Sequence, residues 1–266
     1  MGKCQCDWID PWSIGLVALK AIEFKVAEKR KVIWPSNLKV LAYLKRMHLP
    51  NILQEIGYQN QPTSPFLSAN EDESPNLQEL FHSLFRDNFQ ARLSSKIKVM
   101  FQTFGLNEED QSVATALVGE LGNNVFDHNE GAWPTDVRGA IVVGQHNPLH
   151  RQIEIVVADP GIGFLGSMQV AKPGLKSDIE AIEYGLSGVT GRVGESRGNG
   201  LRIVQGWAID RFQGAVRIHS GEGLVVVDAD GRRPRRVPRV TGTLASVMVK
   251  YQQETHKNYE SANVKI

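Results

Sequence analysis

Glu120, Asn124 and His128 put a carboxylate, an amide and an imidazole four residues apart. On a helix they share one side, drifting slowly around the axis. Glu120 has the chemistry to orient or deprotonate an attacking water or hydroxyl. Asn124 offers a neutral oxygen suited to magnesium, an ion that keeps several waters and takes few protein ligands. Two further groups stand downstream. Asp159-Pro-Gly161-Ile-Gly163 places a carboxylate at the start of a thin, glycine-rich turn. Gly198-Asn199-Gly200-Leu201 opens a predicted helix with bare amides, where phosphate oxygens are favoured.

Elements must exist to hold these groups. Val113, Leu117, Leu121 and Val125 recur every fourth residue, which is the stripe of a buried helix face. Asn107 is the expected N-cap, with Glu108, Glu109 and Asp110 in the first turn. Before it, a long helix is predicted from Leu77 to about Phe104, with Leu80, Leu84, Leu93 and Ile97 as core contacts. After Gly131 the pattern turns to period two. Strands are predicted at Gly139–Val143, Ile153–Val157, Val216–His219, Leu224–Val227 and Thr243–Val249. The first two join through Asn147-Pro148. Residues 164–200 hold a short capped helix, about Ser177–Tyr184, inside a glycine-punctuated insert of the kind that is more often functional than idle.

Singly these motifs are weak. In this order, with the Gly242-Thr243 strand start, the chain resembles the GHKL family of ATP-binding domains, closest in style to the anti-sigma-factor kinases. The resemblance covers roughly residues 77–250. It implies an α/β sandwich, an antiparallel or mixed sheet with helices on one face. It implies ATP and Mg2+ as ligands, with Glu120 catalytic and Asn124 on the metal. Asp159 would accept a hydrogen bond from the adenine amino group, Gly161 and Gly163 would keep the turn thin beneath the base, and Thr243 would support Asp159. Gly198, Asn199, Gly200 and Leu201 would face the phosphates. Some relatives carry an acid seven residues after the glutamate, and the anti-sigma kinases carry histidine at eight, so Asp127 and His128 join the candidate ATP-binding set. Residues 164–200 correspond to the family's ATP lid. The implied function is a magnesium-dependent ATPase or serine/threonine protein kinase that switches a protein partner. The alternative is a non-enzymatic ATP-sensing module whose lid ordering controls partner binding. A homodimer is left open.

The rest of the chain adds a smaller unit. Residues 1–57 read as strand, helix, strand, helix: Cys4–Ile9, Trp12–Ala27, Lys31–Trp34 and Leu38–Met47. This stretch resembles part of the STAS fold, a small βαβα unit, and Ser13 stands near the place of that fold's phosphorylated residue. An ordinary N-terminal helix serine is the commoner explanation. The polar, proline-bearing residues 58–76 read as a linker, 77–252 as the ATP-binding domain, and 253–266 as a polar tail.

Composition excludes several classes. A net charge of +1 gives no global pull toward nucleic acid or acidic membranes. Cys4 and Cys6 cannot make a disulfide framework or a complete zinc site. No apolar run reaches membrane-spanning length, and a cytoplasmic protein is the expectation. The run Gly231-Arg-Arg-Pro-Arg-Arg-Val-Pro-Arg239 is predicted to be a solvated, protruding hairpin, with nucleic acid or an acidic partner as the competing reading. His82 lacks the neighbours of a phosphoacceptor histidine and is expected to be a plain helix residue.

Overall fold

The computed structural model describes residues 9–26, 34–58, 77–129, 132–134, 136–188 and 199–251. Its centre is a five-stranded sheet in the order β1-β2-β3-β5-β4. The strands are β1 (Leu77–Ser83), β2 (Ala140–Asn147), β3 (Gln152–Asp159), β4 (Ala215–Asp228) and β5 (Gly231–Lys250). Every pairing is antiparallel, so of the two expected forms, antiparallel or mixed, the sheet is the antiparallel one. The α/β class stands.

Alternation along the strands sends side chains into two separate cores. Ile153, Ile155 and Val157 of β3 enter one cluster, while Val156 and Ala158 enter the other. With both faces buried, β2 and β3 read as nearly continuous apolar runs. On the first face lies α6 (Glu108–Asn129). It is preceded by α4 (Arg86–Arg92), a π-helical turn (Leu93–Ile97) and α5 (Lys98–Thr103). Asn107 caps α6 as expected, its Oδ1 accepting from the Asp110 amide at 2.8 Å. The tip of the Phe89 ring on α4 abuts Gly122 of α6, where a Cβ would stand 1.9 Å from Cζ. Also on the chain's path are α7 (Gly163–Met168), α8 (Asp178–Leu186) and α9 (Gly200–Gly206), the last running into a second π-helical turn (Trp207–Arg211). Ser177 caps α8 through the Glu180 amide.

The second face is covered too, which corrects the expectation of helices on one side only. It carries α1 (Pro11–Val26), α2 (Leu38–Arg46) and α3 (Leu49–Glu55). Asp10 opens α1 by accepting from the Ser13 amide at 2.7 Å, and Asn37 caps α2 through the Lys39 amide. Ile14, Ala18 and Ile22 pack with Ile141, Val156 and Leu244 of the sheet in a single cluster. Of the strands expected at 4–9 and 31–34, residues 4–8 and 31–33 lie outside the described residues; Ile9 and Trp34 belong to no strand. The expected linker at 58–76 lies outside them except for Tyr58.

The largest correction is at Leu77–Ser83, predicted as the first two turns of a long helix. It is an edge strand paired with β2. Phe81 and Ser83 are buried two residues apart, a period-two signal too short to outweigh the leucines around it. Leu93 and Ile97 are core residues as expected, but Leu84 is exposed in the bend after the strand. Two of the predicted strands, Val216–His219 and Leu224–Val227, are one strand bent by register shifts around Gly221 and Gly223. Among the described residues no helix is long and apolar enough to cross a membrane.

Candidate functional site

The C-terminal half of α6 and the edge where β3 ends and the inner part of β5 begins enclose a pocket of about 540 Å³, counted to its open mouth. Asn124, His128, Asp159, Gly163, Leu201 and Thr243 all line it. Five residues from three separate motifs, with Thr243 from the strand start after them, therefore meet in one place. The remaining wall is largely apolar, with Leu121, Val157, Phe164, Met168 and Ile218.

Asp159 lies at the floor and is 5% exposed. Its register partner across β3 and β5 is Thr243. Its Oδ1 accepts from the Gly161 amide at 2.8 Å and from Asn129 Nδ2 at 3.1 Å, and the Thr243 hydroxyl also donates to the carboxyl. Burial outweighs these donors and pushes the Asp159 pKa up to about 7. The turn after it is built around close approach. A Cβ on Gly161 would stand 2.0 Å from Asn129 Oδ1. Gly163 has φ +72°, and a Cβ there would stand 2.7 Å from Ser220 Oγ. Ser220 is fully buried, accepts from the Phe164 amide and donates to the Gly242 carbonyl.

The other candidates divide. His128 is half-buried on the wall, its Nδ1 hydrogen-bonded to Ser167 Oγ at 2.7 Å. Asn124 is half-buried and forms no side-chain hydrogen bond among the described residues. Glu120, one turn earlier, does not line the pocket. Its carboxylate lies against Gly200, where a Cβ would stand 2.5 Å from Oε2. Asp127 turns away and pairs with Arg86, whose guanidinium also lies 5.9 Å from the Phe126 ring centroid. Asn199 is exposed at the start of α9 and caps nothing with its side chain. Gly198 lies outside the described residues. Ser13 is at the start of α1, across the sheet from the pocket.

Asn129 is the residue that the motif reading missed. It is 3% exposed and binds three partners besides its place in α6: the Val125 carbonyl, Asp159 and the Ile162 amide. A signal was present, because Asn129 is the next term after Val113, Leu117, Leu121 and Val125. A polar residue continuing a buried stripe is expected to have a partner. Ser220 gives no comparable signal, since its role depends on strand pairing.

His82 is on β1 rather than a helix, and its Nε2 lies 2.7 Å from the Arg138 carbonyl. The arginine run forms the outer arm of the β4–β5 hairpin. Arg233 pairs with Asp228, Arg236 with Glu222, and Arg232 reaches the Leu186 carbonyl and Gln205.

No protein-family model matches the chain, and no curated protein matches it.

Proposed function

We propose that the pocket binds the adenine nucleotide ATP, and that the chain is a magnesium-dependent, GHKL-type protein that hydrolyses ATP or transfers its γ-phosphate to switch a protein partner. The observation that carries this is Asp159. A carboxyl group with a pKa raised by burial, at the floor of an apolar pocket, is suited to accept from the amino group of a flat, otherwise apolar base. Such an N–H donor would compensate the burial that the protein's own donors do not. The apolar walls suit an aromatic ring.

The donor set also fits magnesium. Among the described residues no cluster of three or more metal-ligating side chains exists. An ion held by Asn124 and otherwise by phosphate oxygens and water needs none. When bound, magnesium would neutralise phosphate charge. Glu120 stands beside the opening of α9, within one helical turn of Asn124, and is the candidate to orient a nucleophile. Its position against Gly200, off the pocket wall, equally supports the second reading, an ATP-sensing module without turnover. A sandwich of the GHKL type fits the layer formed by α6 and the sheet. The described N-terminal helices share their core with that sheet, so they support a covering layer more than a STAS-like unit. A cytoplasmic setting belongs to the same proposal.

Calorimetry with ATP, ADP and GTP, with and without magnesium, tests this reading, with phosphate release assayed in the same sample. Saturable ATP binding that weakens at least tenfold in Asp159→Asn is expected, with GTP far weaker. Unaltered ATP affinity in that variant overturns the site assignment. Turnover that is lost in Glu120→Ala supports the enzymatic form, and binding without turnover supports the sensing form.

A further inference from the structure

A second recess opens at the opposite end of the same strands. It encloses about 1100 Å³ counted to its open mouth. The separation from Asp159 is roughly 25 Å, the length of an eight-residue strand. Four chain segments line it: the turn into α6 with Leu106, Asn107 and Asp110, the β2–β3 turn with His150 and Arg151, the end of the second π-helical turn and its exit with Arg211, Phe212 and Gln213, and the exit of β5 with Lys250 and Tyr251.

Two features set this recess apart from a solvated surface. The first is charge. Arg211 is held by both Glu109 and Asp110, so this corner of the wall carries one carboxylate more than it has cations. Arg151 and Lys250 form no side-chain hydrogen bond or ion pair among the described residues, although the field of Lys250 helps to depress the Asp228 pKa. Arg151 and Lys250 outweigh the one excess carboxylate beside Arg211, which leaves the recess a net surplus of one positive charge over a floor that includes Leu106, Phe212 and Tyr251.

The second feature is backbone conformation. Arg151 has φ +47° and Gln213 has φ +48°. Arg151 closes a β-hairpin and Gln213 follows a helical end, two places where a left-handed residue is ordinarily glycine or asparagine. Here both positions carry long polar side chains that line the same recess. The segments are also locked together. The Tyr251 amide donates to the Arg151 carbonyl, and the Lys250 amide donates to the Phe212 carbonyl. Strain kept where glycine would serve points to a use for the side chain.

We infer that this recess is a second ligand site, for a small organic dianion of the phosphate-monoester type, with Arg151 and Lys250 receiving the charged group and Tyr251 and Phe212 flanking the organic body. The inference does not depend on what the first pocket binds.

The test is titration of the full chain with phenyl phosphate, using benzoate as a monoanion and benzyl alcohol as a neutral control. Expected is saturable binding of phenyl phosphate, weaker binding of benzoate and none of benzyl alcohol. Arg151→Gly relieves the left-handed strain, so its melting temperature should hold or rise while phenyl phosphate affinity falls about tenfold or more, the loss of one charge-assisted contact. Lys250→Ala should give a similar loss, and Asp159→Asn should leave this affinity unchanged. The inference is overturned if phenyl phosphate shows no saturable binding up to about 10 mM, a concentration well above the Kd expected of a specific site. It is overturned equally if Arg151→Gly and Lys250→Ala bind as the parent does, or if the affinity is lost in Asp159→Asn, which would place the anion in the first pocket.

Discussion

Asp159 should make the protein's stability fall as pH rises through the range where most carboxylates are already silent. Its pKa is pushed from the ordinary 3.8 to about 7 in the fold. Between those values the native carboxyl keeps a proton that the unfolded chain has released. Native binding of the extra proton means that the slope of unfolding free energy with pH is negative. The stabilisation from this group is complete below about pH 4 and lost as pH rises through about 7. A gap of about three pH units, at about 1.4 kcal/mol each, amounts to roughly 4 kcal/mol. The perturbation is Asp159→Asn, which keeps the shape and removes the titration. Urea unfolding of both proteins at pH 4 to 8, followed by tryptophan fluorescence, gives two stability curves. Subtracting them cancels every other titrating group and any constant cost of the amide. The parent should lose roughly 4 kcal/mol relative to Asp159→Asn across that range. A difference that stays flat within about 1 kcal/mol would refute the argument that burial defeats the donors around Asp159.

Other perturbations follow from the same contacts. Asn129→Ala removes partners from the Asp159 carboxyl and the Ile162 amide, and should cost about 2–3 kcal/mol in urea unfolding. Gly122→Ala forces the buried Phe89 ring away from α6 and should cost about 1–3 kcal/mol, read as a drop in melting temperature. Gly15→Val tests the second face. A Cβ at Gly15 would stand 2.7 Å from Leu244 Cδ1 and 3.1 Å from Val156 Cγ1. The larger side chain should lift α1, cost about 1–3 kcal/mol, and shrink the pH dependence assigned to Asp159 as water gains access beneath it. Lost stability with that pH dependence intact would separate the two faces.

The parts of the fold visible in the sequence were those with local causes. The α6 stripe, its Asn107 cap, the Ser177 cap and the β2–β3 turn all depend on residues a few positions apart. The edge strand β1 was not visible, because its pairing with β2 is a tertiary choice and Leu77, Leu80 and Leu84 imitate helical spacing. The second helical layer was misjudged for a similar reason. Buried α1 looks alike whether it closes a small unit of its own or covers a distant sheet. In the site, the order of motifs was enough to bring Asn124, His128, Asp159, Gly163, Leu201 and Thr243 to one pocket. It could not show that Asp127 is drawn off by Arg86, since that pairing joins helices 41 residues apart in sequence.

The two covered faces and the raised pKa of Asp159 have a common origin. Along β3, Val157 and Asp159 face α6, while Val156 and Ala158 face α1. Along β5, Thr243 and Ala245 share the pocket side with them, while Leu244 is pinned beneath Gly15. The carboxyl is thus screened from water by the α6 layer in front and by the α1 layer behind the strands that hold it. A sheet open on its second face could flex at the ends of β3 and β5, admit water and let Asp159 ionise at its ordinary pH. Closing that face keeps the carboxyl dry, so that burial outweighs even the three donors, Gly161, Asn129 and Thr243, that the fold aims at it.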